Sequence, residues 1–114
     1  MKSINIFLVF TIFFSVLLFA QDAKVIESKF KVSGNCDMCK TRIEKALKID
    51  EVKYASWNKT SKFLKVLHDT TISLDSLKHR LANVGHDTDK FKADNDLYKS
   101  LPKCCLYRDN SKTH

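Results

Sequence analysis

The stretch Val32-Ser33-Gly34-Asn35-Cys36-Asp37-Met38-Cys39-Lys40-Thr41-Arg42-Ile43-Glu44 decides how this chain folds, because within it one periodicity replaces another. Before it, Phe30 and Val32 alternate with Lys29 and Lys31, the period of a half-buried strand that starts near Val25. After it, Cys39, Ile43, Ala46 and Leu47 share one face at offsets of 4, 7 and 8, while Lys40, Glu44, Lys45 and Lys48 face outward, with Glu44 and Lys48 as a favourable i,i+4 pair. The spacing predicts an amphipathic helix over residues 38–48, entered through a loop at 33–37.

Working outward, strand patterns fall at residues 52–57 and 62–68, and the short polar link 58–61 makes them a hairpin. Ser73 is a good N-cap for a second helix carrying Leu74, Leu77, Leu81 and Val84, and Gly85 supplies its stop. A short strand at 87–92 closes the series. The order βαββαβ predicts an α+β, ferredoxin-like fold, a four-stranded antiparallel sheet with two helices on one face.

The loop places Cys36 and Cys39 at a helix start with two residues between them, where both thiolates can face one ion. Free backbone N–H groups and the positive end of the helix dipole favour thiolate over thiol there, and Lys40 and Arg42 add charge of the same sign. The pair is suited to binding a soft metal or to exchanging disulfides.

Residues 32–44 resemble the heavy-metal-associated domain, and the similarity continues through Glu51-Val52, the hairpin and Leu81-Ala82-Asn83-Val84-Gly85-His86, covering about residues 25–92. Members of that family are copper chaperones, amino-terminal modules of metal-transporting P-type ATPases, and the periplasmic mercury-binding protein; none is an enzyme as an isolated domain. The resemblance implies that Cys36 and Cys39 are the metal-binding thiolates, and that an ion passes by ligand exchange to a P-type ATPase or another metal-accepting protein. Cu(I) suits a dithiolate best, with Hg(II), Zn(II) and Cd(II) as further soft or borderline candidates. Met38, between the cysteines, either offers a thioether to Cu(I) or, as the family's geometry more often implies, points away from the ion. Two departures stand out: Gly34 occupies a position where the family commonly packs a methionine under the loop, and His86 stands where tyrosine or lysine is common. His86 is open to three readings: a third ligand, a hydrogen-bonding partner of the ligands, or a surface residue.

The chain has 114 residues and a net charge of +7. Lys2 followed by an apolar run to Phe19 and a small Ala20 reads as a signal peptide over residues 1–20, the rival being a membrane anchor. Cleavage leaves 94 of the 114 residues, a single domain, and lowers the charge from +7 to +6 because Lys2 is the only charge removed. The expected location is periplasmic or otherwise exported, without stable membrane insertion once the leader is gone, as a monomer or a metal-bridged dimer. The lysines are scattered rather than interleaved with aromatics, which argues against nucleic acid.

Four cysteines in an exported chain invite a disulfide framework. Bridges within Cys36/Cys39 or within Cys104/Cys105 close only tiny loops and stabilise little, although one pair can bridge the other. The tail, residues 93–114, lies beyond the domain assigned to 21–92. Its vicinal Cys104 and Cys105 either form a second soft-metal site, sharing the ion if the tail folds back, or pack structurally while Leu97, Tyr98, Leu101 and Leu106 dock on the sheet. His68 and His79 read as structural or exposed residues, and His114 as part of a loose terminus. Trp57 and Phe63 read as core or sheet-face residues. No acid–base pair, nucleophilic triad or phosphate loop can be assembled, so the expectation is a binding protein rather than an enzyme. The competing function is thiol–disulfide exchange at the same CxxC, against which stand the βαββαβ order and the lack of a proline before Pro102. A third reading is a binding module whose cysteines form a structural bridge.

Overall fold

A computed structural model describes residues 24–108. The leader assigned to residues 1–20 and the terminal His114 lie outside the described residues. Strand β1 (Val25–Lys31), helix α1 (Asp37–Ala46), β2 (Val52–Trp57), β3 (Phe63–Asp69) and helix α2 (Leu74–Ala82) follow in the expected order. A short helix α3 (Asn95–Lys99) and a 3-10 turn (Lys103–Cys105) follow in the tail. No helix among the described residues is long and apolar enough to cross a membrane.

The sheet is antiparallel in the order β1-β3-β2, with Val25 opposite Asp69 at one end and Lys31 opposite Phe63 at the other. Alternation along β3 sends Leu64 and Val66 inward, and they meet Phe30, Ile43, Leu47, Leu77 and Leu81 in one core. Both helices therefore cover the same face of the sheet. On the opposite face Lys29 and Lys31 lie 5.2 and 5.7 Å from the centre of the Phe63 ring.

Helix α2 begins as its sequence predicts: the Ser76 N–H donates to Ser73 Oγ at 3.1 Å. It ends at Gly85, with φ +101, where the Gly85 and His86 N–H groups donate to the carbonyls of Ala82 and Leu81. That left-handed residue closes the helix with the paired bonds of a Schellman motif.

The expected fourth strand is not formed. Among the described residues the sheet has three strands, and residues 87–92 contribute one isolated bridge, Val32 to Thr88. Thr88 turns the chain instead: its Oγ1 accepts the N–H groups of Lys90 and Phe91, and its own N–H donates to the Phe91 carbonyl. A side chain that captures local backbone donors competes with the ladder. The Glu44–Lys48 pair is also replaced, since Glu44 pairs with Lys40 and accepts the Trp57 N–H at 2.9 Å, fastening α1 to the end of β2.

Candidate metal centre

Cys36 is the N-cap of α1, in extended backbone, and Cys39 lies in the first turn. Of this pair Cys39 is fully buried, its sulfur receiving the Asn35 N–H at 3.5 Å, whereas Cys36 is half-buried beside it, 3.4 Å between sulfurs. The helix start thus presents one outer and one inner thiol.

The floor of this loop is Trp57. A Cβ on Gly34 would stand 3.0 Å from two atoms of the indole and 3.1 Å from Cys39 Cβ, so a side chain there would press on the ring until it gave by a few tenths of an ångström. The indole occupies the space beneath the loop, and its Nε1–H donates to the Val32 carbonyl at 2.9 Å and the Lys62 carbonyl at 3.1 Å. Lys62 holds a left-handed backbone, φ 70, and its Nζ donates to the Gly34 carbonyl at 2.7 Å. Such a conformation is costly for a residue with a Cβ and is retained here by surrounding contacts.

His86 is fully buried, not a surface residue. Its Nδ1–H donates to the Ser33 carbonyl at 2.8 Å, which fixes the tautomer and ties α2's end to the cysteine loop. Burial, chiefly, pushes its pKa below the ordinary imidazole value, disfavouring the protonated ring. Its Nε2 and the Asn35 Nδ2 are buried without a hydrogen-bond partner among the described residues.

The tail folds back onto this end of the molecule rather than onto the sheet. Leu97 is exposed, Tyr98 is buried, and Leu101 lies where a Cβ on Gly85 would meet it at 2.9 Å. The turn at 103–105 packs on α1, bringing Cys104 Sγ to 2.8 Å and Cys105 Sγ to 3.2 Å from Cys36 Sγ. Cys104 also reaches Met38 Sδ at 3.6 Å, so the thioether borders the cluster instead of facing away. Arg42 Nη1 donates to Cys105 Sγ at 3.5 Å. The sulfurs of Cys36, Cys104 and Cys105 lie within 4.8 Å of one another, all four cysteines are free thiols, and no His86 nitrogen belongs to that group. His68 and His79 stand apart as expected: Ser28 Oγ and His68 Nε2 are 2.8 Å apart, and His79 stacks on Phe91.

Burial works against the Cys36 thiolate, but hydrogen bonds from Cys104, Cys105 and Cys39 outweigh it and bring the pKa down to about 7. Burial and the neighbouring sulfurs of Cys39 and Cys36 push Cys105 well up. Cys104 is raised too, mainly because it donates to Cys36. Negative charge shared among these thiols therefore gathers on Cys36, with the tail thiols as donors. Soft sulfur ligands at one partly open point fit a soft cation.

The side chains that anchor the tail were not legible as such in the sequence. Tyr107 OH donates to the Gly85 carbonyl at 2.7 Å and accepts the Asp87 N–H at 2.9 Å. Arg108 grips both Asp87 oxygens, at 2.8 and 3.0 Å, and lies 4.3 Å from the centre of the Tyr98 ring. The available signal was the run Cys104-Cys105-Leu106-Tyr107-Arg108, in which two anchoring side chains closely follow the thiols.

No family model matches the chain, and no curated protein matches it. Solved structures do. The CopZ metallochaperone superposes with a TM-score of 0.53 at 27% identity, covering 55% of this chain and 98% of that one. The N-terminal domain of a potential copper-translocating P-type ATPase from Bacillus subtilis, in its Cu(I)-loaded state, gives 0.53 at 28% identity, covering 57% and 85%. A protein from Bacillus anthracis gives 0.56 at 18% identity, covering 60% and 100%, a likeness of fold alone. The resemblance to the heavy-metal-associated domain read from residues 32–44 is borne out by these structural neighbours.

Proposed function

We propose that this chain is an exported Cu(I)-binding protein that holds the ion on Cys36 and Cys39 and passes it by thiolate exchange to a metal-accepting protein such as a P-type ATPase. The observation that carries the reading is a CxxC at a helix start, on the fold shared with CopZ and with the Cu(I)-loaded ATPase domain. Export rests on the leader-like residues 1–20.

Cu(I) is the cargo, and the residues act as its carriers. Cys36, with its thiolate accessible near neutral pH, engages the ion first, and Cys39 closes the pair as its proton leaves to solvent. In transfer, an acceptor thiolate forms one copper–sulfur bond, one bond to this chain breaks, and copper stays in the +1 state throughout. Trp57 and Lys62 keep the loop in place during the exchange.

The test is native mass spectrometry of the reduced 21–114 chain, offered Cu(I), Zn(II) and Hg(II) with competing thiol and without oxygen. Cu(I) retention by the wild type and its loss on Cys36→Ser with Cys39→Ser is the expected result; unchanged retention in that variant overturns the assignment. The closeness of Cys36 to Cys104 supports a second reading, thiol–disulfide exchange. Fast disulfide exchange with no metal retained would select it.

A further inference from the structure

We propose that the tail is a displaceable strap: Cys104 and Cys105 join Cys36 as a three-thiolate site that retains the ion, and the strap must lift before the ion can be handed on. The inference rests on the Cu(I) reading above and adds to it a closed state of the same centre.

The geometry carries it. Cys36 is the hub, touching Cys39 at 3.4 Å, Cys104 at 2.8 Å and Cys105 at 3.2 Å. The three sulfurs that converge on one point are Cys36, Cys104 and Cys105, while Cys39 stays below, fully buried against the Asn35 N–H. An open dithiolate leaves room for a partner's sulfur as a third ligand. Here the chain fills that room itself, so an incoming thiolate competes with an intramolecular one.

The strap is also placed to move. Cys104 is exposed, forming the outer lip where a partner approaches, and Cys105 is buried behind it. The residues that follow are held by polar contacts of Tyr107 and Arg108 with the loop after α2, and by the packing of the Tyr107 ring on Tyr98 and His86. Arg42 lies against Cys105 and offsets the negative charge of several thiolates around a monovalent ion.

The step balances without an oxidant. On closure the Cys104 and Cys105 thiols each lose a proton to solvent as their bonds to Cu(I) form, and the Cys39 thiolate is released and reprotonated. On transfer, acceptor thiolates bond to the ion one at a time as the Cys104, Cys105 and finally Cys36 bonds break, and each departing sulfur takes up a proton. Copper remains +1.

The experiment compares the reduced 21–114 chain with its Cys104→Ser/Cys105→Ser and Tyr107→Phe variants, using Cu(I) competition against a colourimetric chelator, sulfur coordination number by X-ray absorption, and the rate of Cu(I) loss to dithiothreitol. A tethered ligand acts at a high effective concentration, so removing the tail thiols is expected to weaken retention about a hundredfold. It is also expected to lower the coordination number from three to two and to speed the loss of copper. Tyr107→Phe keeps every cysteine and is expected to move retention and release the same way by a smaller factor, a change independent of the thiols' own contribution to folding. Two-coordinate copper in the wild type, or identical retention and release in the tail variants, overturns the strap while leaving the Cys36/Cys39 reading intact. Loss of binding only on Cys36→Ser/Cys39→Ser separates the two outcomes.

Discussion

Cys36 and Cys39 are fixed from below by packing, whereas the tail that carries Cys104 and Cys105, although it sinks Cys105 into the core, is anchored behind them by hydrogen bonds and charge. Under the first pair lies Trp57, fully buried, joined to the core formed by Ile43, Leu64 and Leu77. Behind the second pair lie Tyr107 and Arg108, gripping Gly85 and Asp87 in a partly solvated network. Packing of the first kind responds little to pH or to a partner's charge. Anchors of the second kind can be loosened by either, so one centre combines a rigid half with an adjustable one.

The contrast breaks most directly at Trp57. Trp57→Ala empties the space beneath the loop, and truncating a buried aromatic costs about 3–5 kcal/mol. For a domain of this size, a melting point lower by on the order of 20 °C is expected by calorimetry. The amides of residues 33–39 should lose their hydrogen-exchange protection along with the core. A small shift confined to the loop would mean that the indole is a lid on the site and not its floor.

At Arg108 the effect should be smaller and local. Arg108→Gln removes the fork on Asp87 and the stacking on Tyr98, and charge-assisted hydrogen bonds contribute about 1.5–3 kcal/mol. Because the strap can open without the sheet, hydrogen exchange at Cys105 and Tyr107 should speed up by roughly ten- to a hundredfold, while Leu64 and Val66 keep their protection. Equal acceleration in both places would show that strap and core unfold together.

Legibility in the sequence followed the same division. The loop and first helix were readable because two periodicities meet at Gly34, and the βαββ order followed from alternation, turn residues and a serine cap. Trp57 escaped as the loop's floor, since nothing local states that Gly34 and the end of β2 converge; the glycine in a methionine's customary place was the one hint. The missing fourth strand is a failure of propensity, because Thr88 turns the chain with its own hydroxyl where an extended strand was expected. Cys104 and Cys105 were recognised as soft ligands. Their meeting with Cys36, 68 residues away along the chain for Cys104, depends on long-range contacts from Tyr107 and Arg108 that no periodicity encodes.

The gentlest way to sharpen the contrast is acid. Burial pushes the Asp87 carboxyl upward, but Arg108, the Ala93 N–H and Tyr107 outweigh that and hold it below the ordinary carboxylate value. The folded strap therefore keeps its charge where the unfolded chain, with a pKa of about 3.9, has begun to take up protons. The stabilisation is complete above that value and is lost as pH falls through the lower folded pKa, because protonated Asp87 no longer pairs with the guanidinium. A pH titration followed by NMR should show the Arg108 Nε–H and Cys105 amide signals moving below pH 4, before those of Leu64 and Trp57. In Asp87→Asn the same signals should be displaced at neutral pH and nearly flat through that range. Movement of the Trp57 signals first would reverse the comparison and make the loop the adjustable half.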